Sequence, residues 1–266
     1  MLVSAIFVRD VMRAHDQAVE AQFDPLAQAY LNSSVHATGP DLPWVERWLA
    51  GTGHTMQQAL DVGCGAGHLS FVLARAFATV RAVDLSPAML QTTTREAARR
   101  GHQNVQGEIA SAGRLPFADE TFDLVATRFS AHHWSHVPDS LAEMRRVLKR
   151  DGRLLVIDLL GDRSPIVDTH LQTLELLRDP SHVRDYTSVE WHSMIGHARF
   201  APDLFQSWPL RLELATWVAR TRAPPVMVEA LRCVMERAPS EVQAGLSIEA
   251  DRSFTPRMGL FVAGAD

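Results

Sequence analysis

Apolar positions in the middle of the chain recur with two different spacings. Short runs that are mostly apolar predict five strands, at residues 58–62, 79–84, 104–109, 122–129 and 153–160. The fifth run, RLLVIDLL, is apolar almost throughout, as expected for a strand covered on both faces. Between the runs, apolar residues lie at helical spacing, beginning with Leu69, Val72, Leu73 and Phe77. This alternation predicts an α/β fold, a doubly wound parallel sheet with helices on both sides.

Local signals give the ends of two of these helices. Ser86 and Pro87 favour a helix start, because a serine hydroxyl caps free amides and proline suits the first helical turn. That helix is expected to stop at Gly101, since glycine commonly follows a helix end. A later helix, with Leu141 and Leu148 on its apolar face, is expected to end at Gly152.

The two ends of the chain differ in pattern from the middle and suggest four segments. They are an N-terminal helical segment over residues 1–50, a core over 51–162, a helical cap insertion over 163–203, and strands and helices that complete the sheet over 204–266. In the last segment, residues 204–214 could form a strand, and Pro224-Pro225 marks a break among helices. Residues 258–264 are the expected final strand.

Composition restricts the class of function. The 266 residues are 46% hydrophobic and 21% charged, with a formal net charge of −5. These values are typical of a soluble globular protein and disfavour nucleic acid as a partner. Cys64 and Cys233 lie far apart, and no metal-ligand spacing occurs, so neither a disulfide framework nor a metal site is expected. A cytoplasmic location fits this use of cysteine.

The chain begins with MLVSAIFV, which is apolar for only eight positions. This run is too short for a membrane span and lacks the basic start and cleavage pattern of a signal peptide. No membrane partner is therefore expected. Translation from Met12 is an alternative in which residues 1–11 are not part of the native chain.

A glycine-rich turn follows the first predicted strand, in the sequence DVGCGAG at residues 61–67. Gly63, Gly65 and Gly67 would let the backbone turn tightly and approach a ligand closely. The next helix is expected to begin at about Ala66, so its free amides would face the same point. Asp84 ends the second strand, where its carboxylate could accept hydrogen bonds from both hydroxyls of a ribose.

Glycine spacing separates two classes of nucleotide ligand. Nicotinamide and flavin dinucleotides require G-x-G-x-x-G, and here His68 stands where the third glycine would be. A nicotinamide-dependent oxidoreductase is therefore the less favoured alternative. A protein that binds its nucleotide without catalysis is a second alternative.

Four motifs occur in order: LDVGCGAG, VDLSPAML, RLPFADETFDLV and AHHW. Together they resemble the class I S-adenosylmethionine (SAM)-dependent methyltransferases, and most of all the type 11 group. That group includes ubiquinone and menaquinone C-methyltransferases and uncharacterised bacterial small-molecule enzymes. The resemblance, which covers about residues 15–200, implies a Rossmann-like, seven-stranded, mostly parallel sheet with an antiparallel last strand. It also implies methyl transfer from SAM to a small-molecule acceptor.

The resemblance also implies which residues contact the cofactor. Asp61 would orient the loop and hold the methionine amino group, Asp84 would bind the ribose, and Leu85 and Met89 would pack on the adenine. The remaining expected contacts are Gly63, Cys64, Gly65, Gly67, Ala112, Arg128, Tyr30 and His36. Ser111 departs from the family, which often has an aspartate there for the adenine amino group; a hydroxyl accepts that bond more weakly.

Candidates on the acceptor side follow the fourth and fifth strands. His132 and His133 could act as a base or orient the acceptor, because histidine titrates near neutrality; packing against the cofactor is the alternative. Trp134 could form a wall of the acceptor pocket or simply pack. In the cap insertion, His182, Arg184 and Tyr186 could bind the acceptor, or could pair with neighbouring side chains.

Overall fold

The computed structural model of the chain describes residues 14–51 and 56–265. The apolar start MLVSAIFV and the possible initiation at Met12 lie outside the described residues. Among the helices that are described, none is both long enough and apolar enough to cross a membrane.

A seven-stranded sheet in the order β3-β2-β1-β4-β5-β7-β6 forms the centre of the fold. The strands are β1 (Gln58–Val62), β2 (Thr79–Asp84), β3 (Val105–Ile109), β4 (Phe122–Arg128), β5 (Leu148–Leu160), β6 (Phe200–Pro209) and β7 (Arg257–Ala265). The strands from β3 to β5 pair in parallel. β7 lies antiparallel between β5 and β6, which confirms the expected Rossmann-like sheet with its antiparallel last strand.

Helices cover both faces of the sheet and extend beyond one end of it. They are α1 (residues 14–23), α2 (Ala27–Leu31), α3 (Ser34–Ala37), α4 (Asp41–Gly51), α5 (His68–Leu73), α6 (Pro87–Arg99), α7 (Val137–Val147), α8 (Pro165–Arg178), α9 (Ser188–His197), α10 (Leu214–Thr221), α11 (Pro225–Glu236) and α12 (Ser240–Gly245). The expected start of α6 is confirmed, since the Ser86 hydroxyl accepts a hydrogen bond from the Met89 amide.

Three predicted boundaries were wrong. α5 begins at His68 rather than near Ala66, because Gly67 before it has a left-handed φ of 90°. α7 ends at Val147 rather than at Gly152, and the chain passes directly into β5. Gly152 instead lies at a register irregularity of β5, where a Cβ would come within 2.7 Å of the Leu148 side chain.

The third wrong boundary is that of β6, which was expected over 204–214. It is an edge strand that faces solvent over much of its length, so it lacks the apolar pattern of a buried strand. Pro202 and Pro209 obscure it further in the sequence, although an edge strand tolerates proline because it needs no ladder bond on its outer side.

The cap has its own apolar core, built from two separate insertions. Leu171 and Leu174 of α8 pack with Trp217 of α10, Leu231 of α11 and Phe254. The cap therefore combines helices that follow β5 with helices that follow β6. The division of the chain into four segments stays a prediction, but the helices of the third and fourth segments share this core.

Candidate active site

A cleft of about 1050 Å³, open to solvent, lies at the carboxyl ends of the central strands. This is the edge at which open parallel sheets bind ligands. Twelve of the residues predicted to contact a cofactor line it: Tyr30, His36, Asp61, Gly63, Cys64, Gly65, Asp84, Leu85, Met89, Ser111, Ala112 and Arg128. His133 and Trp134 line it as well.

The glycines of the loop serve different purposes. All three have positive φ, but a Cβ on Gly63 would collide with the Ser130 hydroxyl, whereas a Cβ on Gly65 would meet no described atom within 4 Å. A side chain at Gly65 would therefore project into the cleft. Gly67 does not line the cleft, and its Cβ would fall 2.6 Å from Thr93 and 2.9 Å from Phe71. The close packing of α5 on α6, rather than ligand contact, requires glycine at that position.

Asp84 is held by the loop that it faces. One of its carboxylate oxygens accepts a hydrogen bond from the Gly65 amide at 2.8 Å, and the other accepts one from the Ser86 amide at 2.9 Å. Burial raises the pKa of Asp84. Each oxygen retains a lone pair that can accept a further hydrogen bond, so the carboxylate can bind two hydroxyls while its position stays fixed.

Asp61 is 1% exposed, and only one of its two carboxyl oxygens has a hydrogen-bond partner in the part of the chain that is described. Its Oδ2 accepts a hydrogen bond from the Ser70 hydroxyl at 2.6 Å. Its Oδ1 is buried and has no hydrogen-bond partner among residues 14–51 and 56–265. Burial raises the pKa of this carboxyl to about 7. An orphaned buried acceptor is costly, and a cationic donor in the cleft would satisfy it.

Arg128 brings a cation into the same cleft. The side chain is buried, and its Nε and one terminal nitrogen donate to the Asp41 carboxylate, which is also buried. Its Nη1 donates to the carbonyl of His36 at 3.0 Å. Three of its five N–H donors are used in this way, which leaves donors for an anionic ligand group.

The N-terminal segment is fastened over the cleft by polar contacts. The Asp24 carboxylate accepts hydrogen bonds from the Ser86 hydroxyl and the Ala88 amide, at the start of α6. The His68 ring contacts the carbonyl of Tyr30 at 3.2 Å. These contacts hold α2 and the turn before it against the starts of α5 and α6, next to the glycine loop.

Ser111, the departure from the family pattern, has a carboxylate beside it. Asp16 of α1 lines the cleft with Ser111, and its carboxyl accepts a hydrogen bond from the Ser111 side chain. Burial is the main cause that raises the pKa of Asp16. Cys64 contributes no comparable chemistry, because burial raises the pKa of its thiol well above the ordinary value.

A second cavity, of about 460 Å³, adjoins the cleft and reaches under the cap. The two share a wall of five rings, which we call the aromatic wall: Phe23, Tyr30, His36, Phe129 and His133. The cap side of the second cavity is strongly polar. Its charged and titratable lining residues are His132, Glu175, Arg178, Asp185 and Arg220.

His132 lines only the second cavity and is tied to Asp158. Its Nδ1 lies 2.5 Å from one oxygen of the buried Asp158 carboxylate, and its backbone amide donates to the other oxygen at 3.2 Å. Burial acts to lower the pKa of His132, but the charge of Asp158, its hydrogen bond to the ring and the charges of Asp185 and Glu175 together outweigh burial and raise the pKa to about 9. His132 is thus an imidazolium at neutral pH and has no lone pair with which to accept a proton.

His133 lies in the aromatic wall and is neutral. Burial, followed by the charge of His132, lowers the pKa of His133 to about 3. Its Nδ1 lies 3.2 Å from the carbonyl oxygen of Ser181. Since a carbonyl can only accept, Nδ1 carries the proton and Nε2 carries the lone pair.

Three predicted acceptor residues of the cap line neither cavity. His182 is buried, with its Nε2 3.0 Å from the side-chain oxygen of Gln172. Arg184 is 39% exposed and pairs with Glu190 and Asp168. The ring of Tyr186 packs edge-on against Trp191. Pairing with neighbours, the alternative considered for this segment, describes all three.

Trp134, by contrast, lines the cleft, where its indole nitrogen donates to the Ser130 hydroxyl at 3.1 Å. In the part of the chain that the structure describes, no group of three or more His, Cys, Asp or Glu side chains is placed to hold a metal ion.

Comparison with known proteins supplies the family. A methyltransferase-domain family model of type 11 matches residues 60–156. The uncharacterised protein YafE of Escherichia coli K12 is 40% identical over 193 residues, which cover 73% of this chain and 93% of YafE. The uncharacterised methyltransferase YcgJ of Bacillus subtilis is 33% identical over 205 residues, covering 77% of this chain and 80% of YcgJ. This chain belongs to the methyltransferase family. The nicotinamide-dependent alternative is thereby displaced.

Solved structures agree with this family. The crystal structure of YcgJ superposes on this methyltransferase with a TM-score of 0.79 at 28% identity, over 84% of this chain and 97% of YcgJ. A geranyl diphosphate C-methyltransferase of Streptomyces coelicolor, solved with Mg²⁺, geranyl diphosphate and S-adenosyl-L-homocysteine (SAH), superposes with a TM-score of 0.57 at 17% identity, over 84% of this chain and 79% of that protein. The second likeness shows the fold alone.

Several charged residues in or beside this methyltransferase's two cavities were not predicted from the sequence. Asp158 could have been recognised from the sequence, because it is the only acidic residue in the run RLLVIDLL, which is otherwise apolar after its first residue. Asp16 and Asp41 had no such signal, since each meets its partner across a large separation in sequence. Glu175, Arg178 and Arg220 were also missed, because only the packing of the cap brings them together. Asp185 belongs to the polar segment of the cap that the sequence pointed to, with pairing to neighbours as its favoured role.

Proposed function

We propose that this methyltransferase transfers a methyl group from SAM to a small-molecule acceptor. The observation that carries the proposal is the buried Oδ1 of Asp61, which has no partner among the described residues and belongs to a side chain that lines the cleft beside the glycine loop. The ammonium group of a methionine moiety is a donor that suits this oxygen. SAM, when bound, supplies a methyl group on a positively charged sulfur.

Each part of the cleft suits one part of that cofactor. Asp61 accepts from the amino group, and the spare donors of Arg128 bind the carboxylate. Asp84, fixed by the Gly65 and Ser86 amides, accepts from the two ribose hydroxyls. Gly65 leaves room for the cofactor, because a side chain there would project into the cleft.

The adenine end uses Asp16 to replace the aspartate that the family often has. Ser111 alone is a weak acceptor, but Asp16 beside it lines the same cleft. A carboxylate there can accept from the adenine amino group while Ser111 holds it in place. Leu85, Met89 and Ala112 provide the apolar surface for the ring.

On the acceptor side, the two histidines orient rather than exchange protons. His132 stays protonated, and a second positive charge on His133 is opposed because the two rings lie only 4.2 Å apart. The neutral His133 therefore uses its Nε2 lone pair to accept a hydrogen bond from the acceptor at the aromatic wall. Much of the rate of an in-line displacement can come from such positioning.

The second cavity supports catalysis over the alternative of a protein that only binds SAM. A binder would need no polar chamber beside the cofactor cleft, and here one adjoins it across the aromatic wall. The acidic net charge supports a small molecule rather than a nucleic acid as the acceptor. Cys64 and Cys233 are both free rather than joined in a disulfide, which supports a cytoplasmic location.

A calorimetric titration of the full chain tests the cofactor assignment. We expect SAH to bind and NADH not to bind. Asp84→Ala should weaken SAH at least tenfold, about 1.4 kcal/mol, with an unchanged circular dichroism spectrum. Binding of NADH in place of SAH would refute the proposal, and unchanged affinity in the variant would refute the ribose assignment alone.

A further inference from the structure

The second cavity is lined by both positive and negative side chains, and some of these have more partners than others. Arg178 donates to Glu175 on its own helix, to the carbonyl of Trp217 and to the Tyr30 hydroxyl. Arg220 donates to the Ser33 hydroxyl at 3.3 Å, and its guanidinium lies over the Tyr30 ring, 5.8 Å from the ring centre. Both partners of Arg220 are neutral, so this guanidinium has no anion of its own among the described side chains.

Two groups in this lining keep unused hydrogen-bonding atoms. Both carboxyl oxygens of Asp185 are buried without a partner in the described part of the chain, and so is the Nε of Arg220. Asp185 is only 1% exposed. Leaving such groups unpaired costs about 1–3 kcal/mol each, and more where the group is charged. A polar ligand in the cavity would satisfy them.

The position of Asp185 is fixed by the surrounding backbone. Gln172 bonds both the amide and the carbonyl of Asp185, at 3.0 and 2.9 Å. Gly161 packs so closely that a Cβ there would come within 2.5 Å of the Asp185 carbonyl. The amides of Val183 and Arg184 donate to the carbonyl of His132. The side chain is therefore held at the cavity by a rigid loop rather than by contacts of its own.

Electrostatics at the cap side favour an anion. Burial and the nearby charge of Arg178 lower the pKa of Arg220, which shows that the two guanidiniums repel each other there. Burial, with the charge of Glu175, raises the pKa of Asp185 well above its ordinary value. The two arginines form a positive side of the cavity, and Asp185 lies in the same lining with two carboxyl oxygens that have no partner in the described part of the chain.

We propose that the methyl acceptor is a compact carboxylic acid, whose carboxylate binds Arg178 and Arg220 and whose second polar group hydrogen-bonds Asp185. This inference rests on the proposed function, because the acid must meet the cofactor at the aromatic wall. The second cavity is less than half the volume of the cofactor cleft, which favours a compact acceptor. A neutral quinone with a long prenyl tail has no anionic group for the two arginines.

Binding to the SAH-saturated full chain tests the proposal directly. The probes are pyruvate, 2-oxoglutarate and benzoate, each compared with its neutral amide by calorimetry or saturation-transfer NMR. We expect at least one acid to bind at least tenfold more tightly than its amide. Arg220→Gln should remove that preference, because it removes the charge and keeps a polar side chain.

Two further variants separate the roles within the cap. Arg232→Gln, on the exposed side of α11, removes the same charge away from the cavity and should retain the preference. Asp185→Asn should weaken acids that carry a second polar group and leave benzoate unaffected. Arg178 is a poor choice for substitution, because its bond to the Trp217 carbonyl also holds the cap together.

The outcomes distinguish the inference from the function on which it rests. Equal binding of acids and amides, or a preference that survives Arg220→Gln, would overturn the carboxylic-acid proposal while leaving methyl transfer intact. Methylation of a neutral molecule with no preference for its acid counterpart would do the same. If the wild-type chain fails to bind SAH, the proposed function is wrong and the inference is wrong with it.

Discussion

Asp61 should reduce the stability of the protein while serving the cofactor. Its carboxyl is buried, one of its oxygens has no partner in the described chain, and burial raises its pKa to about 7. An unfolded chain would return that pKa to about 3.9. The folded state therefore holds a proton that the unfolded state releases between these two values, and stability falls as the pH rises through this range.

The pKa difference of about three pH units gives the magnitude. At about 1.4 kcal/mol per unit, the free energy of unfolding loses about 4 kcal/mol between pH 4 and pH 7. Asp61→Asn keeps the shape and an acceptor for the Ser70 hydroxyl but has no proton to lose. The variant should therefore gain stability over the wild type as the pH rises to 7, by several degrees in Tm, and the gain should be constant above pH 7.

Thermal melts of both proteins from pH 4 to pH 9 provide the assay. Asp123→Asn is the control, because that carboxylate accepts from the Gln57 and Gln58 amides and from Lys149. Burial acts to raise the pKa of Asp123, but these contacts outweigh it and lower the pKa. The control should be less stable than the wild type by a nearly constant amount from pH 4 to pH 9, because the Asp123 carboxyl titrates below this range.

The same Asp61→Asn variant should bind SAH at least tenfold more weakly, because an amide cannot pair with an ammonium group as a carboxylate does. Stability and affinity would then move in opposite directions. A stability difference that does not depend on pH would refute the burial argument. A gain in stability without a loss of affinity would refute the role of Asp61 in holding the cofactor.

Three further predictions concern single positions. Gly67→Ala should destabilise the fold by about 2 kcal/mol or more through its contact with Thr93, as measured by urea unfolding. Gly65→Ala should cost only about 1 kcal/mol of stability but should weaken the binding of SAH. The reverse ranking would contradict the roles assigned to the two glycines. The pKa of His132 is about 9 in the folded protein and about 6.5 in the unfolded chain. This difference adds about 3 kcal/mol to the free energy of unfolding below pH 6.5, and the contribution is lost as the pH rises through 9. The Tm of the wild type should therefore fall between pH 6.5 and pH 9, and that of His132→Asn should not. Asp16→Asn should reduce the preference for SAH over S-inosylhomocysteine, in which a carbonyl replaces the adenine amino group, and an unchanged preference in competition binding would exclude Asp16 from the adenine contact.

The sheet and the cofactor cleft could be predicted because their signals are local. A buried parallel strand is a continuous apolar run, and the loop after it carries its own glycines. Since all parallel strands end at one edge, Asp61 and Asp84 had to meet there. Twelve of the thirteen residues expected from the family resemblance line the cleft, and Gly67 does not because its small size serves helix packing.

The cap could not be predicted to the same degree, because it depends on contacts between distant segments. Nothing in the neighbourhood of Arg220 shows that it faces Asp185 and Arg178. The sequence pointed instead to His182 and Arg184, which belong to the same loop as Asp185 but point away from both cavities. Which side of an irregular loop faces a cavity depends on backbone contacts such as that of Gly161, and these have no periodic signature.

This division explains how one cofactor fold can serve different acceptors. The residues proposed to contact the cofactor are placed by the ends of the strands and by the glycine loop after β1, so their positions change only if the sheet changes. The charged residues of the second cavity, for which we propose contact with the acceptor, are placed by insertions after β5 and β6, and these insertions can vary while the sheet stays intact. They are Glu175, Arg178, Asp185 and Arg220. The charges on the cap side of the aromatic wall should therefore differ between methyltransferases that take different acceptors, even where the residues on its cofactor side are the same.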